Sequence, residues 1–321
     1  MTVQRFPFMR NGFIAFLIAV LLFTLALPAT TAERMIGVVL SGDLPRYREA
    51  HRAFVRSMSQ QGYSQESLGI FLQVPNPDQL SWGNAVRKCS ALGAELIVAY
   101  GAPAAQAAVR EGGGAHVVYA DVYGPIETGI AQAKGAVGVS AKVPLVTLLK
   151  TVTEYRPNRT IGVVYSSREI GTMVQLKEVR RYAATIGANV QELNVTNYAA
   201  LEERLIAQLP KLDSLFVGES VVASRNFDRI VHLAREAKVP VLSTMPGACE
   251  KGALASLEIS PTEQGELAAE LASRLLGRGG GGALAMRQPR QIDLVINLKV
   301  AKALDLNIPF QVLSMATRVV K

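Results

Sequence analysis

The sequence has few of the residues from which catalytic and metal sites are usually built. Its 321 residues include two cysteines and three histidines. The histidines, His51, His116 and His232, have no second histidine and no cysteine at metal-binding spacing, so we expect neither a metal site nor a cofactor. The serine-hydrolase pattern Gly-x-Ser-x-Gly and the phosphate-binding pattern Gly-x-x-x-x-Gly-Lys-Ser/Thr are both absent. We therefore expect a protein that is not an enzyme.

The chain also has no block of like charge. Thirty-four basic and 26 acidic residues give a formal net charge of +8, and the two signs alternate in stretches such as KEVRR (177–181) and LEERL (201–205). Nucleic-acid binding requires a concentrated basic face, so we expect no nucleic-acid partner.

Residues 1–32 have the pattern of a secretory signal. Arg5 and Arg10 precede the apolar stretch 12–27, and a proline and a run of small residues follow, ending at Ala32. We predict cleavage near Ala32 and a periplasmic location. The alternative is an uncleaved membrane anchor, because the apolar stretch approaches the length of a short span. No cysteine lies near the predicted cut, which excludes lipoprotein anchoring.

The two cysteines, Cys89 and Cys249, are far apart in the sequence and lie inside apparently regular segments. In an oxidising compartment they could pair, whereas a buried thiol is the commoner use in a chain with a full-sized core. The sequence leaves both alternatives open.

Short apolar runs alternate with helical patterns after the signal. Runs such as ELIVAY (95–100) are typical of strands buried on both faces, and residues 171–187 have helical periodicity. This alternation predicts βαβ units and parallel sheets covered by helices. The predicted strands are 35–40, 67–74, 95–100, 116–122, 160–166, 189–195, 213–219, 239–244, 253–259 and 291–298.

The strand series restarts at TIGVVYS (160–166) after a predicted helix over 144–155. We therefore predict an α/β fold of two doubly wound parallel-sheet lobes, with the glycine run 277–282 as a flexible connection. In open α/β sheets, ligands bind beyond the carboxyl ends of the strands, which here face a cleft between the lobes. The assignment is 33–140 plus 255–282 for lobe 1, and 141–254 plus 283–321 for lobe 2.

Several segments, in their order and spacing, resemble a known family. The family is that of periplasmic substrate-binding components of a poorly characterised class of ABC transporters, which includes binders of tryptophan and related aromatic amino acids. The resemblance implies a type I periplasmic binding protein, a hinged venus flytrap that closes over a small solute and delivers it to a membrane permease. The segments are YGAPAAQAA (100–108), VYADVYGPIETG (118–129), GAVGVSAKVPL (135–145), RPNRTIGVVYSSREIGT (156–172), VPVLSTMPGACEKGALASLEISPTEQG (239–265) and VINLKVAKALDLNIP (295–309).

Three departures from the family pattern fall in loops that would face the cleft. Ala102 stands where the family usually has Thr or Ser, and Gly124-Pro125 stands where Asp-Pro is usual. Glu219 replaces an Asp that is usual in the second lobe. The ligand can therefore differ from an aromatic amino acid.

The loops after the predicted strands supply the candidate site. Gly101 ends an apolar run and Pro103 favours the first turn of a helix, so unpaired amides and the helix dipole at this corner could hold a carboxylate. The alternative is a plain βα turn. The candidate ligand-binding residues are Ser41, Asp43, Gly101, Ala102, Pro103, Asp121, Tyr123, Ser166, Ser167, Glu169, Glu219, Ser220 and Thr244.

Several candidates also have purely structural interpretations. Asp43 could cap the helix that begins near Pro45. Ser166 and Glu169 have the spacing of a capping box, which satisfies two backbone donors without a ligand. Ser260 and Glu263 repeat that spacing, and there we expect capping alone.

Aromatic and acidic residues leave the ligand class open. Tyr119 and Tyr123 could stack on a ring, although one is as well placed for the core. Asp121 and Glu219 could pair with an ammonium group or with sugar hydroxyls. Trp82 lies in a helical pattern and is expected to be core or surface cover.

Three hypotheses follow from these observations. The first is a monomeric solute-binding protein that binds a small amino-acid-like or aromatic molecule and delivers it to an ABC permease in the inner membrane. The second is a periplasmic sensor that uses the same closure to signal to a membrane receptor. A secreted enzyme is the third. An amino acid would need a carboxylate site at the Gly101 corner and an acid opposite, whereas a sugar or nucleoside would use the tyrosines and acids.

Overall fold

The computed structural model describes residues 34–63, 68–153, 157–195, 197–277 and 284–321. The predicted signal and nearly all of the predicted glycine connection lie outside the described residues. Among the described helices, none is long and apolar enough to cross a bilayer.

The first lobe is built on a parallel sheet of five described strands in the order β2-β1-β3-β4-β5. Their runs are rich in valine and isoleucine because helices cover both faces of the sheet. Strands β1 to β5 are Arg34–Leu40, Leu68–Gln73, Leu96–Tyr100, His116–Val122 and Ala136–Ser140, and helices α1 to α3 are Pro45–Gln60, Gln79–Ala91 and Ala102–Glu111.

The second lobe is built on a sheet of seven described strands in the order β12-β11-β10-β9-β8-β6-β7. All neighbours pair in parallel except β10 and β11, which are antiparallel and so depart from the predicted all-parallel arrangement. Strands β6 to β12 are Thr160–Tyr165, Asn189–Asn194, Ser214–Val217, Val241–Ser243, Ala255–Glu258, Asp293–Asn297 and Arg318–Val320. Helices α4 to α11 are Leu145–Thr153, Ile170–Thr185, Tyr198–Gln208, Val221–Arg225, Phe227–Glu236, Pro261–Leu276, Leu298–Ala303 and Phe310–Met315, with 3-10 turns at Ile130–Gln132 and Leu209–Lys211.

Helix α9 lies on the first lobe although it follows strands of the second. Its Gly265 approaches the backbone of α1 so closely that a Cβ there would be 1.9 Å from the carbonyl oxygen of Ala50. Leu267 and Leu271 are buried in the same core cluster as Ile36 of β1. Glycine is required at this position because any side chain would force the two helices apart.

Within the described residues the chain crosses between the lobes three times, after β5, after β10 and before β11. Two predicted lobe boundaries need correction. Strand Ala255–Glu258 lies inside the second sheet, so the chain leaves that lobe after Glu258 and not at 255. Arg287 pairs with Val139 at the edge of the first sheet, so the last crossing comes after 283. An apolar run does not itself specify which of two sheets it joins.

The two cysteines are buried and unpaired, Cys89 in the core of the first lobe and Cys249 in that of the second. Burial raises the pKa of the Cys89 thiol to about 11. Both therefore act as small core residues.

Candidate functional site

The carboxyl ends of strands from both sheets face each other and enclose a small cavity of about 20 Å³. We call its lining the central cluster. A cavity of this size has room for about one water molecule. The lining residues are Arg46, Tyr47, Ala102, Pro103, Asp121, Tyr123, Glu169, Gly171, Thr172 and Glu219.

Arg46 connects an acid of each lobe. Its Nη1 donates to Oε2 of Glu219 at 2.9 Å, and its Nη2 donates to the Glu219 carbonyl at 3.2 Å and to the Tyr47 hydroxyl at 2.9 Å. Its Nε lies 3.3 Å from Oδ2 of Asp121 and forms an ion pair with it. The Nε–H, however, makes no hydrogen bond to any acceptor in the described chain. Arg46 is 8 % exposed and the two acids are comparably buried, so these charges depend on one another for partners.

The charges of the central cluster do not balance, because one guanidinium lies among three carboxylates. Burial raises the pKa values of Asp121 and Glu219, and the positive charge of Arg46 opposes that shift. Burial alone would lower the pKa of Arg46, but Asp121, Tyr47 and Glu219 raise it well above its usual value. Arg46 therefore stays charged, and its single positive charge faces three carboxyl groups.

Sequence reasoning missed Arg46. It follows Pro45 in the first turn of α1, where the helix dipole disfavours a positive charge. That mismatch is a signal in the sequence, since a basic residue at such a place needs acidic partners from elsewhere in the fold. Those partners are supplied by β4 and by the loop after β8.

Residues of the second lobe hold Glu219 in place. Gln175 on α5 accepts a hydrogen bond from the Glu219 N–H at 3.1 Å, and its amide donates to the Thr244 hydroxyl at 2.9 Å. The Thr244 hydroxyl in turn donates to Oε1 of Glu219. These bonds fix the Glu219 carboxylate on the side of the second lobe that faces the first, with Oε2 directed towards Arg46.

Asp121 has a strained backbone, with φ at +54° and an irregularity in the β4–β5 pairing beside it. Its N–H donates to Oε1 of Gln264 at 2.8 Å, and the Gln264 amide donates to the carbonyl of Ser140 at 3.1 Å. Left-handed conformations of non-glycine residues persist where surrounding contacts stabilise them, and they concentrate at functional sites. Gln264, on α9, supplies that contact.

Glu169 lies at the entry to α5 but does not form the capping box that its spacing from Ser166 would allow. Its carboxylate crosses to the start of α7 and accepts the Val221 N–H at 2.9 and 3.1 Å. The Ser166 carbonyl instead accepts from the Thr172 hydroxyl at 2.8 Å. Burial raises the pKa of Glu169 to about 7, although the bond from Val221 and the charge of Arg46 lower it.

At Ser260 the predicted cap is present, since its hydroxyl accepts the Glu263 N–H at 3.3 Å.

The pKa of Glu169 predicts a pH-dependent stability. Because its pKa of about 7 in the folded protein exceeds the ordinary 4.5, the folded state binds an extra proton between these values. The contribution of Glu169 to the free energy of unfolding is fully present below pH 4.5 and is lost as the pH rises through 7. The change amounts to about 3 kcal/mol. We expect Glu169→Gln to flatten the decline of the free energy of unfolding between pH 5 and 8, measured by urea unfolding at each pH. Glu192→Gln, at an exposed ion pair with Arg180, should keep the wild-type decline.

Most backbone amides of the Gly101 corner have partners within the protein, which favours the plain βα turn over the carboxylate site among the two alternatives that the sequence left open. The Ser41 hydroxyl accepts the Ala104 N–H at 3.0 Å and donates to the Tyr100 carbonyl at 2.8 Å. Gly101 donates to Ala120 at 2.9 Å, and Pro103 has no N–H. Among these first-turn residues, only the Ala102 N–H has no acceptor within the described chain. Gly101 itself is required by its φ of +87° and by the Tyr47 hydroxyl, 2.4 Å from where a Cβ would stand.

The remaining candidates divide between the cluster and its surroundings. Asp43 is exposed and paired with Arg48, neither capping α1 nor lining the cavity. Ser220 caps α7 by accepting the Ala223 N–H at 3.0 Å. The Ser167 N–H donates to Oδ1 of Asn194 at 3.0 Å, and Ser167 lines a larger cavity beside the cluster. Six predicted residues line the central cavity, namely Ala102, Pro103, Asp121, Tyr123, Glu169 and Glu219.

The aromatic candidates have mainly packing roles. Tyr119 is fully buried in the first-lobe core. Tyr123 reaches from the first lobe into the core of the second, where its hydroxyl donates to Glu178 at 2.7 Å. Trp82 is buried, and its indole N–H donates to the Ser41 carbonyl at 2.8 Å. Trp82 and Tyr123 thus stabilise the loops that carry the central cluster.

Two larger cavities adjoin the central cluster. The first, of about 540 Å³, lies between α2, α3 and residues 167–173, which lead into and begin α5, and it shares Pro103 with the cluster. Its lining mixes charged residues such as Asp78 and Arg168 with apolar ones such as Trp82 and Met173. The second, of about 110 Å³, shares Arg46 and is mostly apolar.

Comparisons with known proteins agree with this architecture. The profile of the family described as ABC transporter substrate binding protein matches residues 38–320. The tyrosine-binding protein of Clostridioides difficile is 23% identical over 281 residues, covering 85% of this chain and 81% of that protein.

Two solved structures share the fold. An ABC domain of Streptococcus pneumoniae in complex with L-Trp superposes with a TM-score of 0.82 at 23% identity, covering 90% of this chain and 100% of that one. The ligand-free, open form of an adhesive substrate-binding protein from Clostridium difficile gives 0.63 at the same identity, over 90% and 99%. The fold is that of type I periplasmic binding proteins.

Proposed function

Because this chain belongs to the ABC transporter substrate-binding protein family, whose members are not enzymes, we propose that it binds a free α-amino acid between its lobes for import. The observation that carries the proposal is the Arg46 bridge between Asp121 and Glu219. The relatives named for tyrosine and bound to L-Trp support the same ligand class.

The charges of the bridge match a zwitterion. An α-carboxylate accepts from the Arg46 guanidinium, including the Nε that has no hydrogen-bond acceptor in the described chain. An α-ammonium donates to Asp121 and Glu219, the acids that Arg46 now bridges. The zwitterion thus inserts into the two ion pairs, and every buried charge keeps a partner.

Neutral solutes fit this cluster poorly. A sugar or nucleoside entering the same space would separate Arg46 from its acids without supplying an opposite charge to either. Breaking a buried ion pair without replacement costs roughly 3–5 kcal/mol. The central cluster therefore favours an amino acid over the sugar alternative.

Binding requires the lobes to separate first, because a cavity of about 20 Å³ cannot hold an ammonium and a carboxylate. The three crossings between the lobes form the hinge. The higher TM-score with the L-Trp complex than with the open, ligand-free structure supports a closed arrangement of the lobes here. Arg46 then substitutes for the ligand by holding the acids of the two lobes together.

Family members are typically extracytoplasmic. We propose further that this protein is a periplasmic monomer, exported by the signal in residues 1–32. Its lobe tips would contact an ABC permease of the inner membrane. The closed, loaded form is the one that the permease recognises.

A thermal-shift screen of residues 33–321 tests the ligand class. At a concentration 100 times the Kd, a ligand adds about 2.7 kcal/mol of stability. We expect free L-amino acids to raise Tm by roughly 5 °C or more. Their N-acetyl and methyl-ester derivatives, which lack one charge each, should have little effect.

A sugar or nucleoside that raises Tm while no amino acid does would refute the proposal. Equal shifts from an amino acid and its methyl ester would remove the role given to the carboxylate.

A further inference from the structure

The apolar cavity beside Arg46 lies between the lobes. The start of α1 forms one wall with Leu44 and Pro45, and the second lobe forms the other with residues that include Phe227, Met245 and Ala248. Leu44, Phe227, Met245 and Ala248 are each at most 6 % exposed. The cavity is therefore a hydrophobic pocket that both lobes complete, with a volume of about 110 Å³.

We infer that this pocket receives the side chain of the amino acid and limits it to a branched aliphatic chain or a single ring. The inference rests on the proposed function, because the ligand's charged groups must lie at the central cluster. Arg46 lines both cavities, so a ligand whose carboxylate binds the guanidinium has its side chain beside the pocket.

The chemistry of the two adjoining cavities favours this pocket. The 540 Å³ cavity mixes apolar side chains such as Trp82 with charged ones such as Asp78 and Arg168, whereas the lining of the 110 Å³ pocket is mostly apolar. An apolar side chain there would remove water from polar groups without replacing their hydrogen bonds, which is unfavourable. In the smaller pocket the same side chain displaces water from buried apolar walls, which is favourable.

The volume sets the upper limit. An apolar cavity of about 150 Å³ accommodates benzene. A pocket of about 110 Å³ therefore admits a leucine-like chain, or a phenyl ring with small adjustments of Met245, but not the two fused rings of indole. The lobes close fully over the smaller side chains only.

Ser224 offers a way to fill the pocket without disturbing the charged cluster. It lies on α7, is partly buried, and its hydroxyl donates to the Met245 sulfur at 2.9 Å. Ser224→Leu places a larger apolar group inside the pocket. Gln106→Leu is the matched control, because Gln106 is also helical and partly buried but lines the 540 Å³ cavity.

Isothermal titration calorimetry with L-alanine, L-leucine, L-phenylalanine and L-tryptophan tests the inference. In the wild type, we expect leucine and phenylalanine to bind about tenfold or more tighter than alanine and tryptophan. Ser224→Leu should weaken leucine and phenylalanine about tenfold or more and leave alanine within about threefold. Gln106→Leu should change none of the four, and Met245→Ala should raise the affinity for tryptophan relative to phenylalanine.

The outcomes separate the two proposals. If wild-type protein binds no amino acid, the proposed function fails and this inference with it. If alanine binds as tightly as leucine, if tryptophan binds best, or if Gln106→Leu shifts the preference in place of Ser224→Leu, then only the pocket assignment is wrong.

Discussion

Arg46→Met is expected to lower the affinity for L-phenylalanine about 100-fold or more, because removing one partner of a buried charge pair costs roughly 2–5 kcal/mol. Phenethylamine, the same molecule without its carboxylate, should bind the variant as well as the wild type or better. Its ammonium then faces Asp121 and Glu219 without competition from the guanidinium. Calorimetric titration of both ligands against both proteins gives the coupling between Arg46 and the carboxylate.

Two further variants check this interpretation. Arg46→Lys keeps the charge but not the planar pair of donors, so it should recover only part of the lost affinity. Arg48→Met removes the neighbouring exposed arginine and should leave binding unchanged. If L-phenylalanine and phenethylamine lose affinity equally in Arg46→Met, then Arg46 shapes the cleft without holding the carboxylate.

The second large effect is expected at Glu219, on the other half of the zwitterion. Glu219→Gln keeps the size of the side chain and removes the negative charge nearest to Arg46, so L-phenylalanine should bind about 100-fold more weakly. Hydrocinnamic acid, which is phenylalanine without its ammonium, should bind both proteins similarly. Calorimetric titration of both ligands against both proteins measures the coupling between Glu219 and the ammonium group.

Asp43→Asn is the matched control for Glu219→Gln. Both acids follow a strand and both were expected from the sequence to contact ligand, but Asp43 is half exposed and pairs with Arg48. Its neutralisation should leave the Kd for L-phenylalanine unchanged. An unchanged Kd in Glu219→Gln would instead remove the assigned ammonium partner.

Much of the architecture follows from local sequence. The strand HVVYADV has the bounds 116–122 in both prediction and structure, because an apolar run flanked by polar residues defines a buried strand. Asp121, Glu169 and Glu219 were expected near the cleft because they stand at or just beyond strand ends, and all three line the central cavity. Strand β5 was missed, since AVGVS is short and interrupted by a glycine that lies against the ring of Tyr119.

The sequence by itself determined the alternation of strands and helices, the division into two lobes and the acids at the strand ends, because each depends on residues close together in the chain. Only the tertiary structure decided that Arg46 joins Asp121 to Glu219, across 75 and 173 positions of sequence. It also decided that Ser41 occupies the Gly101 corner and that β10 belongs to the second sheet. These contacts depend on how two lobes face each other, and a periodic pattern carries no information about distant partners.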